Sequence, residues 1–232
     1  LNILRIIGGQ PHRLVLGFMI ATGFLSMWLS NTATALMLMP MGMSLVLLYE
    51  ELNKDILKKG GQIDPRADNF SLTLLLGIAY GASIGGFATL IGTPPNGILI
   101  TQMSQLFPEA PDITFATWML FALPMSFIYM MIAWFLLTRV VFPLPSSTPF
   151  SGKEFIQSEI KKLGPMSTEE KRVTAVFVSF ALLLMTRKER LFGPEVDLFG
   201  WSYYLDKLLA AAGSSPVGFM IDDGSVSVAV AL

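Results

Sequence analysis

The sequence predicts an all-α integral membrane protein, built around a re-entrant helical hairpin and a broken transmembrane helix. Hydrophobic residues make up 53% of the 232 positions before the 20 glycines are counted, and charged residues only 14%. Soluble domains run at roughly 45–50% apolar with glycine included, and at about 25% charged. The charges are also placed tellingly: residues 14–49, 69–108 and 113–138 contain no Asp, Glu, Lys or Arg. A spanning helix needs roughly 20 apolar residues, and a soluble core helix would show a polar face every turn. Finally, two of these stretches are interrupted, one by a cluster of Ser, Asn and Thr and one by Gly, Pro and Asn. This composition excludes a disordered tail, a nucleic-acid binder and an ordinary soluble enzyme. With no cysteine there is no disulfide, and a net charge of −1 gives no polybasic membrane address.

Residues 1–13 read as an amphipathic lead carrying Arg5, His12 and Arg13. Residues 14–49 follow as one uncharged block. As a straight helix it would be about 54 Å long, at roughly 1.5 Å per residue. The hydrocarbon core is about 30 Å thick, and two full crossings with a turn need roughly 40 residues or more. A hairpin of two half-length helices fits, and Ser26, Ser30, Asn31, Thr32 and Thr34 lie in mid-block, where its tip would fall. Residues 50–71 form a charged connector. Residues 72–100 form the broken transmembrane helix, 101–112 a short external loop, and 113–138 a plain span with Pro124 as a kink. Residues 139–172 are a polar connector, 173–186 a short transmembrane segment, 187–216 a loop and 217–232 a truncated transmembrane segment. The chain opens on Leu1, not Met, without a signal peptide, and stops inside an apolar run that begins near Val226. It therefore reads as a fragment of a longer protein.

Lysine and arginine fix the orientation. Connector 50–71 carries Lys54, Lys58, Lys59 and Arg66, connector 139–172 carries six, and loop 101–112 carries none. The positive-inside rule puts both connectors in the cytoplasm and the loop outside. Arg5 and Arg13 draw the lead inside as well, so block 14–49 enters and returns. The 173–186 segment sits less easily, since Arg187, Lys188 and Arg190 follow it.

The two interruptions carry the functional reading. Polar side chains at bilayer depth must find partners. A lone Ser or Thr does so by bonding its own backbone or a neighbouring helix. Ser26-x-x-x-Ser30-Asn31-Thr32 at a hairpin tip asks for more, because an intramembrane Asn is costly without a ligand. In the second segment, Gly85-Gly86 and Gly92-Thr93-Pro94-Pro95-Asn96 cannot hold a regular helix. A packing kink is the plain explanation. Irregular backbone at depth, however, is tolerated only where it lines protein or a cavity. Freed carbonyls and hydroxyls are hard oxygen ligands for Na⁺, helix N-termini favour anions, and paired interrupted segments point to a transporter site. With no Lys or Arg in these spans, bound Na⁺ would neutralise an anion and couple the two electrostatically.

Ser30-Asn31-Thr32-Ala33-Thr34-Ala35, then Ala82-Ser83-Ile84-Gly85-Gly86, then Gly92-Thr93-Pro94-Pro95-Asn96, in that order, resemble the divalent anion:sodium symporters. These INDY-type proteins carry di- and tricarboxylates or sulfate. Leu163–Arg172 looks like the family's connector before its next helix, and the likeness covers nearly the whole chain. The resemblance implies an inverted-repeat elevator transporter working as a homodimer in the full-length protein, in the plasma (inner) membrane if the source is bacterial. It implies sodium ligands at Ser26 (through its backbone), Ser30 and Asn31, with backbone around Gly85 and Thr93, and substrate contacts at Ser30, Asn31 and Thr32. Asn96 is expected to stabilise the turn. Only first-half motifs are present, so the chain as given would hold about half a site. Na⁺ is then the coupling ion, with no other cofactor, and the remaining partners are a small anion and the lipid bilayer, not nucleic acid.

Other residues read plainly. His12 is the only histidine, which argues against a metal site. The 14 Met residues read as packing, and Trp28, Trp118, Trp134 and Trp201 mostly as interface anchors. A proton antiporter would need an intramembrane Asp or Glu, which these spans lack. A membrane enzyme would need a nucleophile with its base, an acid pair or a metal set, and none is visible. A sodium-independent dicarboxylate exchanger of the same fold stays open.

Overall fold

The computed structural model describes residues 10–110, 113–145, 166–186 and 200–211. Among these the regular structure is entirely helical: α1 (Pro11–Ser26), α2 (Asn31–Lys58), α3 (Ala67–Phe87), α4 (Pro94–Leu106), α5 (Phe115–Phe135, running on as a π-helical turn over Leu136–Val141), α6 (Thr168–Met185) and α7 (Trp201–Ala211). Three helices are long and apolar enough to cross a membrane: α2, α3 and α5 with its π-helical extension.

The described residues divide into two compact units. The first holds residues 10–99 together with 122–145. Here α1 and α3 run in the same direction, with Val15, Met19 and Gly23 set against Gly77, Gly81 and Gly85. The i, i+4, i+8 spacing on both helices puts each set on one face, so the backbones can approach closely. Helix α2 returns antiparallel, placing Gly42 against Ile78 and Tyr49 against Phe70, with the ring centroids of the last pair 4.7 Å apart. The later part of α5 also runs against α1 and α3. Trp134 Nε1 donates to the His12 carbonyl at 2.9 Å, and Asn69 Nδ2 donates to the Pro143 carbonyl at 2.9 Å. Leu14, Phe18, Leu45, Phe70, Leu74 and Ile78 fill the core between these helices. By contrast Leu120, Phe121, Phe127 and Val140 on α5 are exposed, as suits a helix facing lipid.

In the second unit, a capping box starts α6: Ser167 Oγ accepts from Glu170 N at 3.2 Å, and Ser167 N donates to Glu170 Oε2 at 2.8 Å. Trp201 fastens α7 to the end of α6 through its amide to the Thr186 carbonyl and its Nε1 to the Leu183 carbonyl.

The element bounds differ from the sequence reading in instructive places. The uncharged block 14–49 holds most of α1, which has 16 residues, and most of α2, which has 28 and runs on past the block to Lys58. Charge does not end α2. Glu50 through Lys58 are mostly good helix formers, and the helix stops only before Gly60, whose φ of +77° is a left-handed stop. Similarly, α4 runs six residues into the expected loop 101–112, and α7 forms within the expected loop 187–216. Helix α6 covers 173–185 of the expected segment 173–186, but its first turns hold Glu169, Glu170, Lys171 and Arg172, and it is not among the three helices apolar enough to cross. Pro124 lies inside continuous helix. Residues 217–232 lie outside the described residues.

Candidate functional site

The two interruptions meet in the first unit. Between α1 and α2 the chain turns through Met27, Trp28, Leu29 and Ser30. Ser30 takes extended backbone angles and caps α2, its Oγ accepting from Ala33 N at 3.2 Å and its carbonyl from Thr34 N at 3.0 Å. The remaining first-turn amides include those of Asn31 and Thr32. Across the turn, Ser26 Oγ donates to Asn31 Oδ1 at 2.7 Å, closing the tip on itself.

The other interruption runs from Ala88 to Thr93, between α3 and α4. Pro94 and Pro95 open α4, where a missing N–H is no loss and φ is already set for the helix. Asn96, nearly buried, turns back to the end of α3. Its Nδ2 lies 3.1 Å from the Gly86 carbonyl and 2.7 Å from that of Thr89, satisfying acceptors a broken helix leaves over. This is the turn-stabilising role expected of Asn96.

Thr89 ties the two together. It is fully buried. Its hydroxyl donates to the Met27 carbonyl at the hairpin tip and accepts from Gly92 N at 3.1 Å within the break. Glycines permit the rest of the approach. A Cβ on Gly86 would lie 2.2 Å from Asn31 Oδ1, and one on Gly92 would lie 2.9 Å from the Ser26 carbonyl and 2.4 Å from that of Gly86. From α5, Ser126 Oγ donates to the Ile84 carbonyl at 2.8 Å, holding the last turn of α3.

The structure therefore brings Ser26, Ser30 and Asn31 together at one turn, with Gly86 and Gly92 against them. Ser26 is buried, Asn31 half-buried, and Ser30 and Thr32 exposed. Gly85 lies one step away: its Cα faces Gly23, and its carbonyl accepts from Ala88 N at 2.9 Å. Thr93 is half-buried next to Gly92, and its carbonyl accepts from Asn96 N at 3.1 Å. Sequence reasoning named the glycine-rich motifs but not Gly86 and Gly92 as the residues facing the tip, and it missed Thr89 and Ser126. A single Thr or Ser in an apolar run gives no signal of which distant carbonyl it will reach.

No charged side chain lies in these stretches, so backbone ends and neutral oxygens set the local field. The carbonyl ends of α1 and α3 are negative poles and the N-terminus of α2 is a positive one. The α4 N-terminus adds dipole but few donors, because Pro94 and Pro95 have no N–H and Asn96 N is engaged. Ser26 and Asn31 together offer hydroxyl, carbonyl and amide oxygens, the donor class hard cations take. Outside the spans, Glu169 at the head of α6 has its carboxyl held below the ordinary carboxylate range, first by a backbone hydrogen bond and then by Ser167.

Comparison with known proteins agrees with the motif reading. A family model described as citrate transporter matches residues 1–216. The sodium-dependent dicarboxylate transporter SdcS of Staphylococcus saprophyticus is 37% identical over 188 residues, covering 81% of this chain and 35% of the relative. SdcS of Staphylococcus aureus strain NCTC 8325 is 36% identical over the same length and shares. The chain thus spans about a third of the length of these curated relatives (35%). Family and relatives alike are transporters, not enzymes, and with three spanning-capable helices the chain is an integral membrane protein.

Proposed function

The chain belongs to the citrate transporter family, and we propose that it carries one half of the binding site of a sodium-coupled symporter for di- or tricarboxylates. The observation supporting this best is the closed contact between the α1–α2 tip and the α3–α4 break, made by Ser26, Asn31, Gly86, Thr89 and Gly92. Two helix interruptions packed on one another are the arrangement in which backbone carbonyls and hydroxyls are freed to hold an ion.

In this reading Na⁺ binds among Ser26, Ser30, Asn31 and the backbone around Gly85 and Thr93, with Gly86 and Gly92 shaping the wall. Asn31 Oδ1 already accepts from Ser26, which fixes its amide orientation and leaves a second lone pair for a cation. The anion meets the more exposed edge at Ser30, Asn31 and Thr32, beside the amides of the α2 N-terminus. Two ligands of opposite charge in one uncharged pocket stabilise each other, and that mutual stabilisation is the coupling. The α1–α2 hairpin is re-entrant, and the sequence is a piece of a larger carrier whose second set of motifs completes the site. Transport is an elevator movement of this region in a homodimer, in the plasma (inner) membrane if the source is bacterial. Sulfate is the competing cargo.

Uptake of radiolabelled succinate by the intact transporter in proteoliposomes tests this. Uptake that requires an inward Na⁺ gradient is the expected result. Gradient-independent uptake accelerated by internal dicarboxylate would mean an exchanger, and the sodium ligands named here would lose that role.

A further inference from the structure

We propose that Thr34 is a further residue of the cation site, its hydroxyl supplying an oxygen to the ion directly or through one buried water. This rests on the sodium reading above and extends the site one turn deeper into α2.

Thr34 is fully buried, and its Oγ1 has no hydrogen-bond partner among the described residues. Buried hydroxyls are almost always bonded. A helical Ser or Thr has an easy partner in the carbonyl four residues back. Thr22 bonds Phe18 in this way at 2.6 Å, Ser44 bonds Pro40 at 2.9 Å and Thr138 bonds Trp134 at 2.8 Å. Thr34 does not use that option, so its hydroxyl is turned to something else.

Position says what. Thr34 follows Asn31 by three residues on a helix, so the two share a face, with Cβ atoms about 5–6 Å apart. Asn31 Oδ1 is the atom that meets both Ser26 Oγ and the Cα side of Gly86. An oxygen one turn below it, screened from solvent, is placed to complete the coordination of a small hard cation, whose shell usually holds six or so oxygens. An anion fits less well there: the Thr34 amide is already bonded to the Ser30 carbonyl, and the free first-turn amides lie at the exposed N-terminus of α2.

Thr73 provides the internal control. It is equally buried and its hydroxyl is equally unpartnered among the described residues, but it lies on α3 three turns before Gly85. The Val substitution keeps the shape of Thr and removes the hydroxyl. If the buried hydroxyl is only an uncompensated polar group, Val is neutral or stabilising at either position.

The experiment titrates Na⁺ against choline on the intact transporter. It reads the sodium-induced rise in melting temperature in detergent and the initial rate of succinate uptake in proteoliposomes. Thr34→Val should raise the half-saturating Na⁺ concentration roughly tenfold or more, the scale of one lost bond to a charged group, and should shrink the sodium-induced thermal shift. Thr34→Ser should restore both, and Thr73→Val should match the parent. If Thr34→Val is not recovered folded, Thr34→Ala carries the same prediction. Wild-type sodium curves in a folded Thr34→Val or Thr34→Ala protein, with Asn31→Ala impaired, would overturn this proposal and leave the sodium reading standing. No sodium response in the parent would overturn both.

Discussion

Substituting alanine at Gly85 tests the helix contact that supports the site. A Cβ there would lie 2.1 Å from the Gly23 carbonyl oxygen, 2.4 Å from Gly23 Cα and 2.5 Å from its carbonyl carbon. All three are backbone atoms, so no side chain can swing away. Reaching ordinary contact near 3.4 Å requires α1 and α3 to part by about 1.3 Å at their crossing, the kind of overpacking that costs roughly 1–3 kcal/mol or more. The helix propensity of Ala returns about 1 kcal/mol. Because only backbone atoms are met, the cost lies at the upper end, and a net loss of about 2 kcal/mol lowers the melting temperature of a chain this size by several degrees, at about 2–4 °C per kcal/mol. The damage to function should be larger. Gly86 leans on Asn31, so the parting is passed to the tip, and a displacement of about 1 Å at a reacting or binding group can cost on the order of 100-fold. Gly97 is the matched control: no atom lies within 4 Å of its added Cβ, and it sits within α4. Gly97→Ala should therefore be neutral or stabilising by about 0.5–1 kcal/mol. Melting curves in detergent and succinate uptake decide the matter. Gly85→Ala that is as stable and active as the parent would refute the close α1–α3 approach and the register derived from it.

Thr89→Val removes the donor to Met27 and the acceptor for Gly92 N in a buried position, so it should destabilise by about 2–6 kcal/mol, counting roughly 1–3 for each stranded group. Thr89→Ser keeps both bonds and should retain most of the stability, and melting curves of the pair check this. Cysteines introduced at Lys54 and Gln105 should be labelled by an impermeant reagent from opposite sides, with Lys54 inside; same-side labelling would break the topology. At the head of α6, Ser167→Ala should cost about 1 kcal/mol of local stability, read as faster amide exchange in the first turn. The lowered Glu169 carboxyl gives that turn a pH dependence of definite sign. Because the folded form holds the group below its ordinary value of 4.5, its stabilising contribution is full above that pH and fades as pH falls further. Glu169→Gln should flatten that acid limb in the same exchange experiment.

The breaks themselves were legible in the sequence because they are local. Ser30 before Asn31 is a helix cap, and Pro94-Pro95 is a helix start wherever the surrounding chain goes. Membrane character was legible from the placement of charge. What joined the breaks was not. Gly77, Gly81 and Gly85 are spaced for a helix face, but nothing local says that Gly23 is the surface they meet. Thr89 looks like any Thr in an apolar run until the fold brings Met27 to its hydroxyl. The end of α2 is not legible for a different reason. Charge marks where lipid ends, whereas a helix ends where a stop residue such as Gly60 allows it, and Glu50 to Lys58 satisfy the helix as well as apolar residues do. Thr34 was visible as part of a polar cluster, but its burial without a hydrogen-bond partner could come only from the packed structure.

The account rests above all on Asn31, whose Oδ1 sits where the hairpin tip and the broken helix meet. The direct measurement is sodium-dependent succinate uptake by the intact transporter carrying Asn31→Ala, normalised to the amount of folded protein in the vesicles. Loss of the sodium-dependent component at parental expression is the predicted result. Uptake with an unchanged sodium curve would contradict the assignment of this junction as the binding site.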